Sequence, residues 1–301
     1  MTRAALIAQT PDMQDKTMRP DPQWLDAQYD NRRRVPDFAQ HFAHWRAASV
    51  RAREQLSGRL DVGYLAGSDV TLDLFAPRRA EAPVLVFIHG GYWRSLDKAD
   101  HSFVAVPFVQ AGAMVVVPNY QLCPAVTIET IALQTAQALA WVHRHAAQHG
   151  GDAARCVVVG HSAGGHLAAM LLACDGKRLG ADLPARLVQR AVSISGLFDL
   201  EPLRQTPFLQ GDLQLTLAQV RRCSPAGYAA PRGASLHAVV GALESDEFLR
   251  QNRLVRERWG TAVVPVCETL PGRNHFTVLD DLVDPHALLH GRVLRLLGLM
   301  Q

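Results

Sequence analysis

Apolar residues fall in short continuous runs along much of the chain, and longer stretches of helical periodicity separate these runs. Residues 84–88, 114–118 and 156–160 are such runs, and residues 127–149 form an amphipathic stretch between the last two. A short continuous apolar run is typical of a strand that is buried on both faces of a sheet. The alternation of strand and helix therefore predicts an α/β fold, with a mainly parallel sheet and helices on both faces.

The remaining elements follow from the same periodicities. Residues 59–65 and 70–75 alternate apolar and polar side chains around Gly67-Ser68, which predicts an antiparallel hairpin. Further strands are predicted at residues 188–195, 236–240 and 263–267, and further helices at residues 101–111, 248–259 and 286–299. Together with the three apolar runs, these segments predict a sheet of eight strands.

Two segments depart from this regular pattern. Residues 1–22 carry three prolines and show no periodicity, which predicts a flexible N-terminal arm ahead of a single domain at residues 23–301. Residues 196–231 break the alternation of strand and helix. An insertion at the carboxyl ends of strands commonly forms a lid or a substrate wall, so we predict a lid-like insertion there.

Residues 24–56 have helical periodicity ahead of the first strand. Phe38, Phe42 and Trp45 share one face at positions i, i+4 and i+7. We interpret this aromatic stripe as core packing, with a roof over a binding site as the alternative.

Composition narrows the class of protein. The 301 residues are 48% hydrophobic, enough for one large core, and the formal net charge is +3. The basic run Arg32-Arg33-Arg34 is interpreted as a solvated helix end, so no nucleic-acid partner is expected. The five cysteines are scattered and form no C-x-x-C pair, which is typical of free thiols in a reducing compartment and argues against a structural zinc site.

The N-terminal sequence and the lack of nucleotide-binding motifs lead to expectations about location and cofactors. The apolar run at residues 4–8 is too short for a signal-peptide core or a membrane span, so we expect a cytoplasmic protein without a membrane partner. No Walker loop or G-x-G-x-x-G motif stands in a nucleotide-binding context, and no cofactor is expected.

The main candidate for chemistry is the G-x-S-x-G sequence Gly160-His-Ser-Ala-Gly164, which lies between a predicted strand and a predicted helix. In such a context the motif holds a serine on a sharp turn with its hydroxyl exposed. Ser162 is therefore a candidate nucleophile. The alternative is an ordinary turn in which the serine caps the helix.

A serine nucleophile needs a base and an acid that orients the base, and in this arrangement they follow in the order serine, acid, histidine. His275 follows the last predicted strand and is the candidate base. Two acids compete for the third position. Glu244 stands three residues after Gly241 and is preferred, whereas Asp246 is interpreted as the N-cap of the next helix.

Acyl transfer also needs hydrogen-bond donors for the oxyanion, each worth about 3 kcal/mol. The sequence His89-Gly-Gly-Tyr92 follows a buried strand and can turn backbone N–H groups into a cleft. We predict the N–H groups of Gly91, Tyr92 and Ala163 as the donors.

Taken together, these residues resemble the α/β-hydrolase superfamily, in the group related to hormone-sensitive lipase. His89-Gly-Gly-Tyr92 and Asn119-Tyr-Gln-Leu-Cys-Pro124 resemble its H-G-G-G and D-Y-R-L-A-P loops. The segments similar to its arylformamidase (kynurenine formamidase) branch are His89-Gly-Gly-Tyr-Trp93, Gly160-His-Ser-Ala-Gly-Gly-His166, Ser195-Gly-Leu-Phe-Asp-Leu-Glu-Pro202 and Glu244-Ser-Asp-Glu-Phe-Leu-Arg-Gln251. The resemblance runs from about Leu25 to the C-terminus, and it again selects Glu244, where the animal enzymes carry aspartate.

The branch implies hydrolysis of the aryl formamide N-formylkynurenine to formate and the free arylamine. More broadly, we expect removal of a small acyl group from an aryl amide or ester. A formyl group needs little room, whereas an aryl leaving group favours aromatic walls. The wall candidates are Tyr92, Trp93, Phe198, Phe208 and Phe276, with Trp93, Phe198 and Phe276 predicted to bind the substrate. Arg94 or Arg204 could meet a substrate carboxylate.

Alternatives stay open at this point. A broad carboxylesterase acting on short-chain acyl esters would use the same residues. A non-catalytic ligand receptor could share the fold, although the presence of His275 argues against it. A metallohydrolase would use His161 and His166, which lie i and i+5 around a turn without a matching carboxylate. The sequence is also compatible with a homodimer.

Overall fold

The computed structural model of the protein describes residues 21–300, so the predicted N-terminal arm lies outside the described residues except for Asp21 and Pro22. Within the described part, eight strands form one sheet in the order β1-β2-β4-β3-β5-β6-β7-β8. The strands are β1 (Gly58–Gly63), β2 (Thr71–Phe75), β3 (Ala82–Ile88), β4 (Met114–Pro118), β5 (Gly151–His161), β6 (Arg190–Ile194), β7 (Ser235–Gly241) and β8 (Val266–Leu270).

The sheet has one antiparallel edge and a parallel remainder. β1 pairs with β2, and β2 with β4, in antiparallel register, and the other neighbouring strands are parallel. The carboxyl ends of the parallel strands therefore meet at one edge of the sheet, where ligands bind in open α/β sheets. The prediction of a mainly parallel sheet of eight strands is confirmed.

Helices connect the strands and cover the sheet. They are α1 (Pro22–Tyr29), α2 (Asn31–Arg34), α3 (Phe38–Gln55), α4 (Ala105–Gln110), α5 (Ile128–His145), α6 (Ala163–Leu172), α7 (Glu201–Arg204), α8 (Pro207–Leu213), α9 (Leu217–Cys223), α10 (Asp246–Trp259), α11 (Asp280–Val283) and α12 (Leu288–Leu297). The predicted insertion at residues 196–231 contains the three short helices α7 to α9.

Each face of the sheet packs against its own apolar cluster. In β3, Val84, Val86 and Ile88 join one cluster, whereas Leu85 and Phe87 join the other. Successive strand residues point to opposite faces, so a strand with apolar side chains on both faces is covered by helices on both sides. The continuous apolar runs of the sequence therefore reflect burial on both faces.

Two predicted boundaries are wrong. The sequence predicts the last strand at residues 263–267, whereas β8 covers Val266–Leu270. The N–H of Val264 donates to the carbonyl of Gly260 (2.9 Å), so the buried valines there belong to the turn after α10. The segment predicted as a helix at residues 101–111 starts instead as a 3-10 helix, Lys98–Val104, which runs directly into α4.

Two fully buried histidines make the fold sensitive to acid. Burial lowers the pKa of His101 to about 3 and that of His166 to about 4, from an ordinary value near 6.5. Below pH 6.5 the unfolded chain binds protons that the folded chain does not, so the free energy of unfolding falls as the pH drops from about 6.5 towards 4. For His166 alone we expect a loss of about 2 kcal/mol between pH 7 and pH 5.

Urea unfolding at these two pH values measures the loss. The difference should shrink in His166→Asn and stay unchanged in His286→Asn, which alters an exposed histidine. An equal pH dependence in the wild type and His166→Asn would contradict this assignment.

Candidate active site

Ser162 occupies a sharp corner between β5 and α6. Its backbone has φ +56° and ψ −118°, a conformation that residues other than glycine rarely adopt. The neighbouring helix packs closely on β3, because a Cβ atom at Gly164 would lie 2.0 Å from the carbonyl oxygen of Ile88. The corner thus holds the serine hydroxyl at the carboxyl edge of the sheet.

A chain of hydrogen bonds runs from this serine to a carboxylate. Nε2 of His275 lies 3.1 Å from Oγ of Ser162, and its Nδ1 lies 2.6 Å from Oε2 of Glu244. Because an ionised carboxylate only accepts, Nδ1 carries the proton and Nε2 is free to accept from the serine hydroxyl. Ser162, His275 and Glu244 are 2%, 5% and 6% exposed, respectively, so water competes little for these contacts.

The second oxygen of Glu244 is held by two donors. Oε1 accepts from the Ser195 hydroxyl (2.5 Å) and from the N–H of Gly241 (2.7 Å). Asp246, the competing acid, is the exposed first residue of α10 and does not contact His275. The N-cap of that helix is Ser245, whose hydroxyl accepts from the N–H of Phe248 (3.3 Å), so the prediction of Asp246 as the cap is wrong by one residue.

The three predicted oxyanion donors line this corner. Gly91 and Tyr92 have φ +102° and +50°, in a tight turn after β3, and Ala163 opens α6. The four N-terminal N–H groups of a helix have no partner within it. Among residues 21–300, none of the three N–H groups donates to another group of the chain.

A second histidine, His161, contacts His275. The Nε2–H of His161 donates to the carbonyl of His275 (2.8 Å), and the two rings lie 4.9 Å apart. Burial, and then the neighbouring His275, lower the pKa of His161 well below its ordinary value. His161 therefore stays neutral and fixes the backbone that carries the base.

A cavity of about 360 Å³ opens onto Ser162. Its walls come from the N-terminal helices, the turn after β3, the serine corner, α8 and the loop that carries His275. The lining residues are Asp30, Asn31, Arg32, Arg33, Phe38, Phe42, Trp45, Gly91, Tyr92, Arg94, Ser95, Leu96, His161, Ser162, Phe208, His275 and Phe276. Its size suits a small organic molecule.

Of the three residues predicted to bind the substrate, Phe276 lines the cavity and the other two do not. Trp93 is fully buried in the core, edge-on to His166 at a distance of 4.9 Å between ring centroids. The turn that places Tyr92 at the cavity directs the next side chain, that of Trp93, into the core. Phe198 is also fully buried in that core. The prediction that Trp93 and Phe198 contact the substrate is therefore wrong.

Sequence reasoning undervalued the N-terminal helices. Phe38, Phe42 and Trp45 line the cavity, with Phe42 edge-on to Phe276 at a centroid distance of 5.3 Å. The stripe is thus a roof over the site as well as packing. Ser195 was missed as a partner of the acid, although it directly follows β6, the strand between those leading to Ser162 and Glu244.

The described residues offer neither a metal site nor a membrane span. Between residues 21 and 300, the His, Cys, Asp and Glu side chains form no group of three or more that could hold a metal ion. In the same part of the chain, no helix combines the length and apolar character needed to cross a membrane.

The chain is similar to several known proteins. The BD-FAE family matches residues 72–213. Kynurenine formamidase from Danio rerio is 29% identical over 266 residues, which cover 86% of this chain and 88% of that protein. Carboxylesterase NlhH from Mycobacterium tuberculosis is 36% identical over 113 residues, which cover 36% of this chain and 35% of that protein.

A solved structure is similar over nearly its whole length. The crystal structure of a protein from Silicibacter sp. TM1040, provisionally named a thioesterase, is 32% identical, with a TM-score of 0.78. The match covers 88% of this chain and 97% of that one. The fold is therefore shared with that protein.

Proposed function

Because the chain belongs to the arylformamidase-like branch of the α/β-hydrolase superfamily, in the group related to hormone-sensitive lipase, we propose that this hydrolase cleaves aryl formamides of the N-formylkynurenine type. The observation that carries the proposal is the hydrogen-bonded chain Ser162-His275-Glu244 at the base of an aromatic-walled cavity. Short-chain acyl esters are the alternative substrates.

The first half of the reaction transfers the formyl group to the enzyme. The Ser162 hydroxyl attacks the formyl carbon while Nε2 of His275 takes its proton. Glu244 keeps the proton on Nδ1 and stabilises the imidazolium that forms. The N–H groups of Gly91, Tyr92 and Ala163 donate to the oxyanion of the tetrahedral intermediate.

The intermediate then collapses and the enzyme is regenerated. The carbon–nitrogen bond breaks as His275 returns its proton to the departing arylamine nitrogen, leaving formyl-Ser162. A water molecule attacks this ester while His275 takes one of its protons. Collapse of the second intermediate releases formic acid, which ionises to formate in water, and His275 returns its proton to Ser162.

The aromatic lining of the cavity supports an aromatic leaving group. Phe42, Phe208 and Phe276 present rings to the cavity. Flat aromatic surfaces pack well against an aryl ring, in offset or edge-on geometry. A formyl group has no chain to accommodate, so the space near Ser162 can be given to the leaving group.

Turnover of two substrates tests this proposal. We expect kcat/KM for N-formylkynurenine to exceed that for 4-nitrophenyl acetate, although the ester is chemically the more reactive of the two. Release of formate and arylamine, measured together, identifies the bond that is cleaved. Equal or better turnover of the ester would favour the broad carboxylesterase, the activity that the NlhH relative carries in its name.

A further inference from the structure

The cavity of the candidate active site contains a cation without a carboxylate partner. The guanidinium of Arg32 lies over the rings of Phe38 and Phe42, with its central carbon 5.6 and 5.5 Å from their centroids. One of its terminal nitrogens donates to the hydroxyl of Ser95 (3.3 Å). Among residues 21–300, no Asp or Glu oxygen lies within 4.0 Å of this guanidinium.

Arg94 and Arg204, the two arginines that the sequence offers for a substrate carboxylate, already have acidic partners. Arg94 lines the cavity, but it is paired with Asp212 and donates to the carbonyl of Phe208 (3.1 Å). Arg204 is paired with Glu201 (2.5 Å) and does not line the cavity. Their guanidinium groups are already matched with a negative charge.

Arg33 also lines the cavity, yet the structure does not fix its side chain in the same way. In the part of the chain that the structure describes, its guanidinium meets no ring and no hydrogen-bond acceptor, whereas that of Arg32 is held by two rings and a hydroxyl. A pre-positioned group loses less entropy when it binds a ligand. Arg32 is thus the cation best prepared to receive one.

The guanidinium of Arg32 is accessible to an anion that enters the cavity. Burial, and then the charge of Arg94, lower the pKa of Arg32, the carboxylate of Asp30 raises it, and an arginine stays protonated at neutral pH. Arg32 is an exposed residue of the cavity wall. A carboxylate matches the planar fork of the guanidinium with two parallel hydrogen bonds.

We propose that Arg32 binds a carboxylate of the substrate and makes the enzyme selective for aryl formamides that carry one. The inference rests on the proposed function, because it assigns the far end of the same substrate. It gives Arg32, the first residue of the basic run, a role in binding in addition to its exposed position on α2. Arg32 is accordingly a specificity-determining residue.

Binding to the Ser162→Ala protein tests this without turnover. The ligands are N-formylkynurenine and its primary carboxamide, which has the same shape without the charge. Isothermal titration calorimetry should give a Kd about tenfold or more lower for the carboxylate. Adding Arg32→Gln should reduce this preference to about twofold or less, while adding Arg34→Gln should leave it intact. Arg34 lies on the same short helix and does not line the cavity, so it controls for net charge.

Two results would overturn the inference: no preference for the carboxylate in the Ser162→Ala protein, or an unchanged preference after Arg32→Gln. If Arg32→Gln fails to fold, Arg32→Met keeps an unbranched stem against Phe38 and Phe42 and takes its place. Formate release by the unmodified enzyme is a separate readout. An enzyme that prefers the carboxylate but does not release formate would refute the proposed function and leave Arg32 as a carboxylate site.

Discussion

Replacing Ser162 with alanine is expected to lower kcat for N-formylkynurenine by at least about 10⁴-fold, because the proposed mechanism transfers the formyl group to its hydroxyl. Nε2 of His275 then has no nucleophile at 3.1 Å from which to take a proton. The oxyanion donors and the cavity walls stay in place, so residual activity above that of water is expected. Steady-state formate release measures the effect.

The fold should tolerate this change. Ser162 caps no N–H group of α6 with its side chain, so the substitution removes no contact that the helix needs. Thermal unfolding of Ser162→Ala should therefore match the wild type within a few degrees. A folded Ser162→Ala protein that retains activity within about tenfold would refute the role of this serine.

Glu244→Gln is expected to lower kcat by about 10³- to 10⁴-fold, since an amide can donate to Nδ1 and shift the proton of His275 to the wrong nitrogen. Asp246→Asn is the matched control, because it makes the same chemical change two residues further on, at an exposed position. We expect it to alter kcat by less than about twofold. The same formate assay measures both variants.

This pair of variants separates the two acids that the sequence left in competition. A large loss in Asp246→Asn with little change in Glu244→Gln would contradict the assignment of Glu244. Comparable losses in both would indicate an effect on the loop rather than on the base. Near-UV circular dichroism checks that each variant keeps the packing of its aromatic residues.

The strands and the corner could be predicted from the sequence because local pattern determines them. The apolar run of β5 and the two glycines around Ser162 together specify a strand that ends in a sharp turn. The order serine, acid, histidine then follows from the order of the parallel strands. Glu244 and His275 could be selected because each lies just after a strand that ends at the same edge.

The walls of the cavity could not be predicted in the same way. Trp93 and Tyr92 are adjacent and aromatic, yet Trp93 is buried in the core and Tyr92 lines the cavity. A backbone turn with a positive φ angle at both residues sets these opposite directions. Periodicity does not reveal such a turn. Phe38 and Phe42 reach the site only because α3 packs across the loop of Phe276, a contact between residues far apart in sequence.

The contacts of Arg32 could not be predicted for a related reason. A run of three arginines is most often solvated, and the sequence gives no sign that the first of them meets two aromatic rings and a serine hydroxyl. That arrangement depends on how α2 and α3 sit over the turn after β3. The lining of the cavity therefore depends on long-range packing, whereas the candidate chemistry follows from local sequence.

Ser162 is proposed to be an activated nucleophile, and covalent labelling measures this activation more directly than turnover does. Phenylmethylsulfonyl fluoride reacts with a serine hydroxyl only where a base removes its proton, and the product stays on the enzyme. Intact-mass and peptide mass spectrometry should find one sulfonyl group per chain, attached to Ser162 and absent from Ser162→Ala. An unlabelled wild type, or equal labelling of the two proteins, would contradict the account.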